Sequence, residues 1–273
     1  MTSRQAAVLR QGERKSGTQR GLQSMIRTVL CTLAVVLYLI LFIPVLIAEW
    51  LFGKRFPGFF DVLSLRMVRG IFKIILFLAG VKMTVLGKER IPRDKAVLYI
   101  CNHNSIFDTV INYSLFPDVT GIVAKMEMAG IPLLSVWMKL LHCLFLDRTN
   151  MRQGVAVIKE ATRNINNGIS MCIFPEGTFS QGESELDMLP FHEGSFNVAR
   201  QSGCPIVPIA ITGSADIYEK HTPYVRPAHV VVEYGEPIDP SKLGKDERKH
   251  LGAYTRARIL KMLTGDREYL QAG

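Results

Sequence analysis

The sequence predicts an α/β domain in which a mixed, largely parallel sheet of about seven strands is covered by helices, joined to an N-terminal membrane-anchoring helical hairpin. Three observations predict this fold. From residue 83 onward, short apolar runs alternate with stretches of helical pattern, which is typical of a sheet covered on both faces. Hydrophobic residues make up 48% of the 273-residue chain. Residues 28–48 contain no charge, a run that as a helix matches roughly 30 Å of hydrocarbon.

The first 27 residues are strongly basic: they contain six cationic side chains and one acid, Glu13, and their net charge of +5 is more than half of the chain's formal +9. A cleaved signal peptide does not fit, since the apolar run is too long and no A-x-A-like site follows it. The basic excess favours an anionic membrane surface as partner, and no nucleic-acid motif is present to favour nucleic acid. We therefore expect a basic tail at 1–27, membrane-anchoring helices at 28–81 and the α/β domain at 82–273.

The topology of the anchor follows from the charges on both sides of the apolar run. Residues beyond it, such as Lys54, Arg55 and Arg66, are basic as well, so the positive-inside rule does not favour a simple crossing. Pro44 interrupts the run, and a second apolar stretch at 62–81 carries basic residues along its length. Two helices that enter one leaflet as a hairpin, with both ends cytoplasmic, satisfy these charges better than a crossing helix, which remains the alternative. We expect the protein at the cell membrane, with the α/β domain facing the cytoplasm.

Within the α/β domain, the apolar runs and the periodic stretches define the order of elements. The predicted strands are residues 83–86, 96–101, 121–124, 143–146, 170–174, 206–211 and 230–234. The predicted helices are residues 106–115, 126–141, 152–166, 195–201 and 245–263. Pro205 and Pro208 indicate that the sixth strand lies at a sheet edge or bends where it starts. The five cysteines stand singly without metal-ligand spacing, so neither a metal site nor a disulfide framework is expected.

Residues 102–108 join the second predicted strand to the first helix of the domain. His103 falls in this turn at the carboxyl end of a strand, where open α/β sheets place their sites, and histidine exchanges protons near neutral pH. Ser105 and Asp108 form an S-x-x-D capping pattern, which brings Asp108 back toward the turn. On one continuous helix, side chains five positions apart would point about 140° away from each other. Both residues could serve the turn alone, so the choice depends on the rest of the domain.

Other strand ends carry polar or turn-forming residues, each of which is ordinary by itself. Residues 174–178 (Phe-Pro-Glu-Gly-Thr) follow the fifth strand, and Glu176 is available there to hold a substrate hydroxyl. Lys125 follows the third strand, and residues 145–148 (Phe-Leu-Asp-Arg) end the fourth. Their order along the chain is more informative than any one of them.

Together, these pieces resemble the lysophosphatidic acid acyltransferase family, the glycerolipid branch of the H-x4-D acyltransferases, over roughly residues 82–237. Residues 102–108 fit the N-H-x-S-x-x-D block in full. Lys125, Pro132 and residues 145–148 fit the second block, although Ser135 stands where a glycine is usual. Residues 174–178 fit the third block and residues 205–208 the fourth. The resemblance makes residues 82–273 the acyltransferase catalytic domain.

The resemblance implies transfer of a fatty acyl group from an acyl thioester to the sn-2 hydroxyl of 1-acyl-glycerol-3-phosphate, which makes phosphatidic acid. His103 would be the general base and Asp108 would orient it, while backbone N–H groups around Ser105 are a candidate oxyanion site. Attack is direct, which fits the absence of a G-x-S-x-G nucleophile elbow. No cofactor is implied, since acyl-coenzyme A or acyl carrier protein is the donor co-substrate. The implied substrate-binding residues are Asn102, Ser105, Lys125, Arg148, Phe174, Pro175, Glu176, Gly177 and Thr178.

The chain departs from the family after the third block. Phe179 stands where the family has an arginine that binds the acceptor phosphate, and His192 and Glu193 stand where lysines are frequent. A phenylalanine cannot replace an arginine fork. Either lysophosphatidic acid is held by Lys125 with other basic residues, which we favour, or the acceptor is another lysolipid, such as a lyso-aminolipid or a lysophospholipid. A non-catalytic membrane-binding protein and a serine esterase are the hypotheses from other classes.

Overall fold

The computed structural model describes residues 3–180, 182 and 184–272. Within them lies a seven-stranded sheet with the order β1-β7-β6-β2-β5-β3-β4. Neighbouring strands are parallel except β6 and β7, so β7 and β1 run opposite to the other five. The strands are β1 Lys82–Leu86, β2 Leu98–Cys101, β3 Thr120–Lys125, β4 Leu144–Leu146, β5 Ser170–Ile173, β6 Ile206–Thr212 and β7 His229–Tyr234. The predicted mixed, largely parallel sheet is confirmed.

Helices cover both faces of the sheet. Their bounds are α1 Ser3–Leu41, α2 Ile43–Phe52, α3 Pro57–Ala79, α4 Phe107–Leu115, α5 Leu134–Leu140, α6 Met151–Asn166, α7 Asn197–Ser202, α8 Lys245–Lys249 and α9 Leu251–Ala272. The core on one face includes residues of α1, α3, α4 and α5, and the core on the other includes residues of α6, α7 and α9. Side chains of β2 alternate between these cores: Tyr99 and Cys101 point to the first, and Leu98 and Ile100 to the second.

The N-terminal helices form an antiparallel hairpin against the first core. An Arg27 side-chain N–H donates to the Leu78 carbonyl at 2.9 Å, and Ser64 Oγ donates to Glu49 at 3.2 Å. The axis breaks at Phe42, just before Pro44 in the first turn of α2. Among the described residues, one segment, residues 21–52, is long and apolar enough to cross a membrane. Helix α1 passes without interruption through the boundary predicted between residues 27 and 28, and the domain division stays a prediction.

Two long predicted helices are wrong, because each is interrupted. The stretch 126–141 consists of a 3-10 turn at Met126–Gly130 and the separate helix α5. Pro132 has no N–H to donate, and Leu133 has a positive φ of 60°, so the helix cannot continue through them. The stretch 245–263 divides into α8 and α9 at His250, whose backbone is not helical, and α9 extends to residue 272.

Strand β6 lies inside the sheet, between β2 and β7, so the predicted edge position is wrong. Its Pro208 is accommodated because the ladder with β7 ends there. The Pro208 carbonyl accepts the Gly235 N–H at 2.9 Å, while the pairing of β6 and β7 runs only from Ile209 onward. Pro208 therefore occupies a position at which the strand needs no donor toward β7.

Candidate active site

The turn between β2 and α4 brings His103 and Asp108 together. His103 Nδ1 lies 3.1 Å from Asp108 Oδ2, with Asp108 fully buried and the His103 side chain 14% exposed. Helix α4 starts at Phe107 and its N-cap is Ile106, one residue after the predicted cap, Ser105. Ser105 still contacts the helix start, because its Oγ accepts the Phe107 N–H at 3.0 Å. The capping pattern folds the turn back so that the two side chains meet.

Asp108 shapes the turn and contacts the histidine through the same oxygen. Its Oδ2 also accepts the N–H groups of Asn104 and Ser105, each at 2.8 Å. An ionised Asp108 makes Nδ1 of His103 the donor in their contact, which leaves Nε2 as the acceptor. Asp108 Oδ1 is buried and accepts no hydrogen bond from the described residues. Asp108 therefore forms the turn and also makes the predicted contact with His103, while its role in catalysis stays a prediction.

Glu176 holds the turn from the loop that follows β5. Its Oε1 accepts the His103 N–H and its Oε2 accepts the Leu189 N–H, both at 2.8 Å. Burial raises the pKa of this carboxyl group, while the two N–H donors oppose the rise and the charge of Asp108 adds to it. Because both oxygens are engaged by backbone donors, the geometry favours a supporting role for Glu176 over the predicted contact with a substrate hydroxyl.

Two aromatic rings enclose the His103 ring. Phe174 stacks on it with ring centroids 4.0 Å apart, and Phe179 approaches with centroids 4.4 Å apart and planes at 62°. The Ser180 N–H donates to the His103 carbonyl at 2.9 Å, so the third block wraps around the turn. Phe179 is 37% exposed and stands at the opening of the site. The residue that departs from the family pattern thus contacts the candidate base directly.

The rest of the third block forms a tight loop beside His192. Gly177 has a positive φ of 75°, and a Cβ there would lie 3.2 Å from the His192 ring, so the position requires glycine. The Pro175 carbonyl accepts the His192 N–H at 2.9 Å. Thr178 is exposed and makes no hydrogen bond with the part of the chain that the structure describes. It is the polar residue of this loop that remains available to a ligand.

The backbone N–H groups at the start of α4 are already occupied, which contradicts the expectation that they form an oxyanion site. Glu176 accepts the His103 N–H, Asp108 accepts the next two, and Ser105 Oγ accepts that of Phe107. The remaining N–H, of Ile106, donates to Glu219 Oε1 at 2.8 Å. Sequence reasoning missed Glu219, since it lies 113 positions away and belongs to no motif.

Asn102 serves the fold rather than the opening of the site. It is fully buried, its Nδ2 donates to the Ile211 carbonyl at 2.9 Å, and its Oδ1 accepts the Ile211 N–H at 2.8 Å. This pair of bonds ties the end of β2 to β6. The predicted substrate contact is not supported, because both polar atoms of the amide are used inside the protein.

Lys125 and Arg148 lie farther along the same sheet edge. Lys125 ends β3, two strands from β2 and so about 10 Å away. Its Nζ contacts Glu127 Oε1 at 2.8 Å, and Arg148 is exposed nearby, after β4. The hydrogen bond from Lys125 lowers the pKa of Glu127, and the charge of Arg148 adds a smaller effect. Both cations are exposed, and Lys125 is already paired with the acid Glu127.

Comparisons with known proteins identify the class. The acyltransferase family pattern matches residues 82–212. The chain is 30% identical to the 1-acyl-sn-glycerol-3-phosphate acyltransferase of Borreliella burgdorferi, covering 74% of this chain and 79% of that one. It is 32% identical to a probable enzyme of the same name from Mycoplasma pneumoniae, covering 67% and 70%. The crystal structure of the Thermotoga maritima 1-acyl-sn-glycerophosphate acyltransferase has the same fold, with a TM-score of 0.75, 22% identity and coverage of 93% and 98%.

These matches and the fold define the protein as an acyltransferase. The chain belongs to the 1-acyl-sn-glycerol-3-phosphate acyltransferase family, and the resemblance carried by its four blocks is confirmed. Among the described residues, no group of three or more His, Cys, Asp or Glu side chains is arranged to hold a metal ion. A reaction without a metal or cofactor stays a prediction.

The Asn102→Ala variant tests the structural role of the amide. Its loss leaves the buried N–H and carbonyl of Ile211 unpaired, so we expect the free energy of unfolding to fall by about 3 kcal/mol. Denaturant unfolding measures the effect, with Asn167→Ala at an exposed position as the control. Unchanged stability combined with a raised KM for the acceptor would instead restore the predicted substrate contact.

Proposed function

We propose that the protein transfers a fatty acyl group from an acyl thioester to the sn-2 hydroxyl of 1-acyl-glycerol-3-phosphate at a membrane surface, forming phosphatidic acid. The observation that carries this proposal is the His103–Asp108 pair, in which the buried carboxylate engages Nδ1 and leaves Nε2 free. The names of the relatives support the acceptor. The donor is acyl-coenzyme A or acyl carrier protein, and no cofactor takes part.

In the proposed reaction, His103 Nε2 takes the proton of the sn-2 hydroxyl as that oxygen attacks the thioester carbonyl. The tetrahedral intermediate then collapses, the carbon–sulfur bond breaks, and the departing thiolate receives the proton from the imidazolium. Asp108 stabilises the imidazolium between these two steps. Because the N–H groups of the turn are occupied, Thr178 is the candidate donor to the oxyanion. Attack is direct, so no acyl-enzyme forms.

Phe179 affects how the phosphate of the acceptor can be bound, because it stands where the family has an arginine. With phenylalanine beside His103, the phosphate would be held by Lys125, released from its pair with Glu127, together with Arg148, and His192 would add charge when protonated. The apolar surface of Phe179 also gives specific support to the second candidate, the same reaction on a lyso-aminolipid or lysophospholipid. We favour lysophosphatidic acid, since the relatives carry that name.

We further propose that the hairpin lies in one leaflet of the cell membrane, with the active site on the cytoplasmic side. Thr28 Oγ1 accepts the Val225 N–H at 2.8 Å, and the Tyr38 ring lies 5.1 Å from that of Trp137. The part of α1 between these two contacts, about 15 Å long, therefore packs against the catalytic domain. This length is half of the roughly 30 Å that a helix needs to cross the hydrocarbon core. The outer face of α1 exposes apolar side chains, which suits a helix lying in the plane of an anionic interface.

In the first experiment, the purified protein is kept in detergent and is given lysophosphatidic acid, a neutral lysolipid or a zwitterionic lysolipid as acceptor. We expect His103→Ala to lower kcat on the order of 10²–10⁴-fold, since the general base is lost, and Asp108→Asn to lower it strongly as well. Acyl transfer is followed by release of the thiol. His250→Ala, at an exposed histidine outside the site, is the matched control. Full activity in His103→Ala would sink the catalytic proposal.

The Phe179→Arg variant tests the acceptor. An arginine fork on a phosphate is worth about 1.5–3 kcal/mol, so we expect KM for lysophosphatidic acid to fall about tenfold or more. Phe179→Leu separates loss of the aromatic contact from gain of the charge. If the wild-type protein acylates only another lysolipid, and Phe179→Arg impairs that reaction, the second candidate acceptor replaces the first.

Tryptophan fluorescence tests the hairpin. The chain has two tryptophans, of which Trp50 is 81% exposed and Trp137 is 2% exposed. Replacing both by phenylalanine removes the native tryptophan fluorescence. Leu37→Trp then places a single fluorescent probe on the outer face of α1. With brominated lipids in anionic vesicles, we expect strongest quenching about 5–10 Å below the headgroups. Maximal quenching at the bilayer centre would mean that the helix crosses. Trp50→Phe alone, which leaves buried Trp137, is the unquenched control.

A further inference from the structure

Glu219 approaches the catalytic turn from the connection between β6 and β7. This connection contains two 3-10 turns, Ser214–Asp216 and Glu219–His221. The Ile106 N–H donates to Glu219 Oε1 at 2.8 Å, just before the start of α4. Ile106 is 52% exposed, so packing restrains it only in part and this hydrogen bond supplies a directed contact to its backbone.

Glu219 completes a set of three carboxylates around the turn. The N–H groups of four consecutive residues, His103 to Ile106, lie in the turn and the N-cap that precede α4, so each needs an acceptor outside the helix. Glu176 takes the first, Asp108 takes the next two, and Glu219 takes the last. These acceptors come from the loop after β5, from α4 and from the β6–β7 connection, so the turn is held from three directions.

A carboxylate in this position has an electrostatic cost. Burial raises the pKa of Glu219, hydrogen bonding from the Ser105 hydroxyl and the Ile106 N–H opposes the rise, and the charge of Asp108 adds to it. Its second oxygen, Oε2, is buried and accepts no hydrogen bond from the described residues. A buried carboxylate that has one unsatisfied oxygen and lies near another carboxylate lowers the stability of the fold. A role in the site explains Glu219 better than a role in stability alone.

We propose that Glu219 is a positioning residue for acyl transfer. By fixing Ile106, it fixes the backbone of Ser105, whose N–H shares Asp108 Oδ2 with His103 Nδ1. The hydrogen bond between Asp108 and His103 keeps its direction only while that N–H stays in place. Glu219 acts through these residues and does not touch the reacting atoms. The inference rests on the catalytic role proposed for His103, but one of its tests needs no substrate.

The test compares Glu219→Ala and Glu219→Gln in the full-length protein. The alanine variant has no acceptor for the Ile106 N–H, so we expect kcat to fall on the order of 10²-fold with little change in KM for either substrate. The glutamine variant keeps an oxygen at the same distance and should recover most of kcat. Amide hydrogen exchange over residues 103–108, measured without substrate, should be faster in the alanine variant and near wild type in the glutamine variant.

Glu193 provides the matched control. It also accepts a backbone N–H, that of Gly252 at 2.8 Å, and it pairs with Arg200, away from the turn. We expect Glu193→Ala to lower the thermal midpoint without changing exchange at 103–108. Wild-type kcat in Glu219→Ala, or equal losses in both Glu219 variants, would overturn the proposal. An inactive wild-type protein would refute the proposed function, while the exchange data would still test the contact.

Discussion

A single buried oxygen, Asp108 Oδ2, is the constraint on which the active site depends. It accepts His103 Nδ1 and two backbone N–H groups, so the histidine can be oriented only when the turn has its correct shape. Around it, Glu176 and Glu219 hold the remaining N–H groups, and Asn102 ties the strand end to β6. The His103–Asp108 pair is thus the centre of a network that several segments of the domain build together.

This network occupies the N–H groups of the turn that leads into α4. An oxyanion or a phosphate arriving at α4 would meet carboxylates, not free N–H groups, and a negative field repels such ligands. Different parts of the sheet edge therefore provide different contacts. The turn holds His103, Phe179 supplies an apolar surface beside it, and the cations Lys125 and Arg148 lie farther along the sheet edge.

The strands and the His103–Asp108 contact could be predicted because both depend on local sequence: alternating apolar runs, and a capping pattern over four residues. The break at Leu133 also had a local signal, Pro132, which the apolar periodicity concealed. Glu219 and the true partners of Asn102 could not be predicted, since each contact joins residues more than 100 positions apart. Long-range hydrogen bonds leave no spacing rule in a single sequence.

The hairpin shares its packing with the catalytic domain. Leu65, Val68 and Ile75 of α3 are buried in the same core as Tyr99 of β2, and Asp61 lies 3.1 Å from His142 beside β4. Residues 81 and 82 therefore mark a change of architecture and not a place at which the protein can be divided. A chain cut there would present the bare apolar face of α4 and α5 to water, so solubility and activity would be lost together.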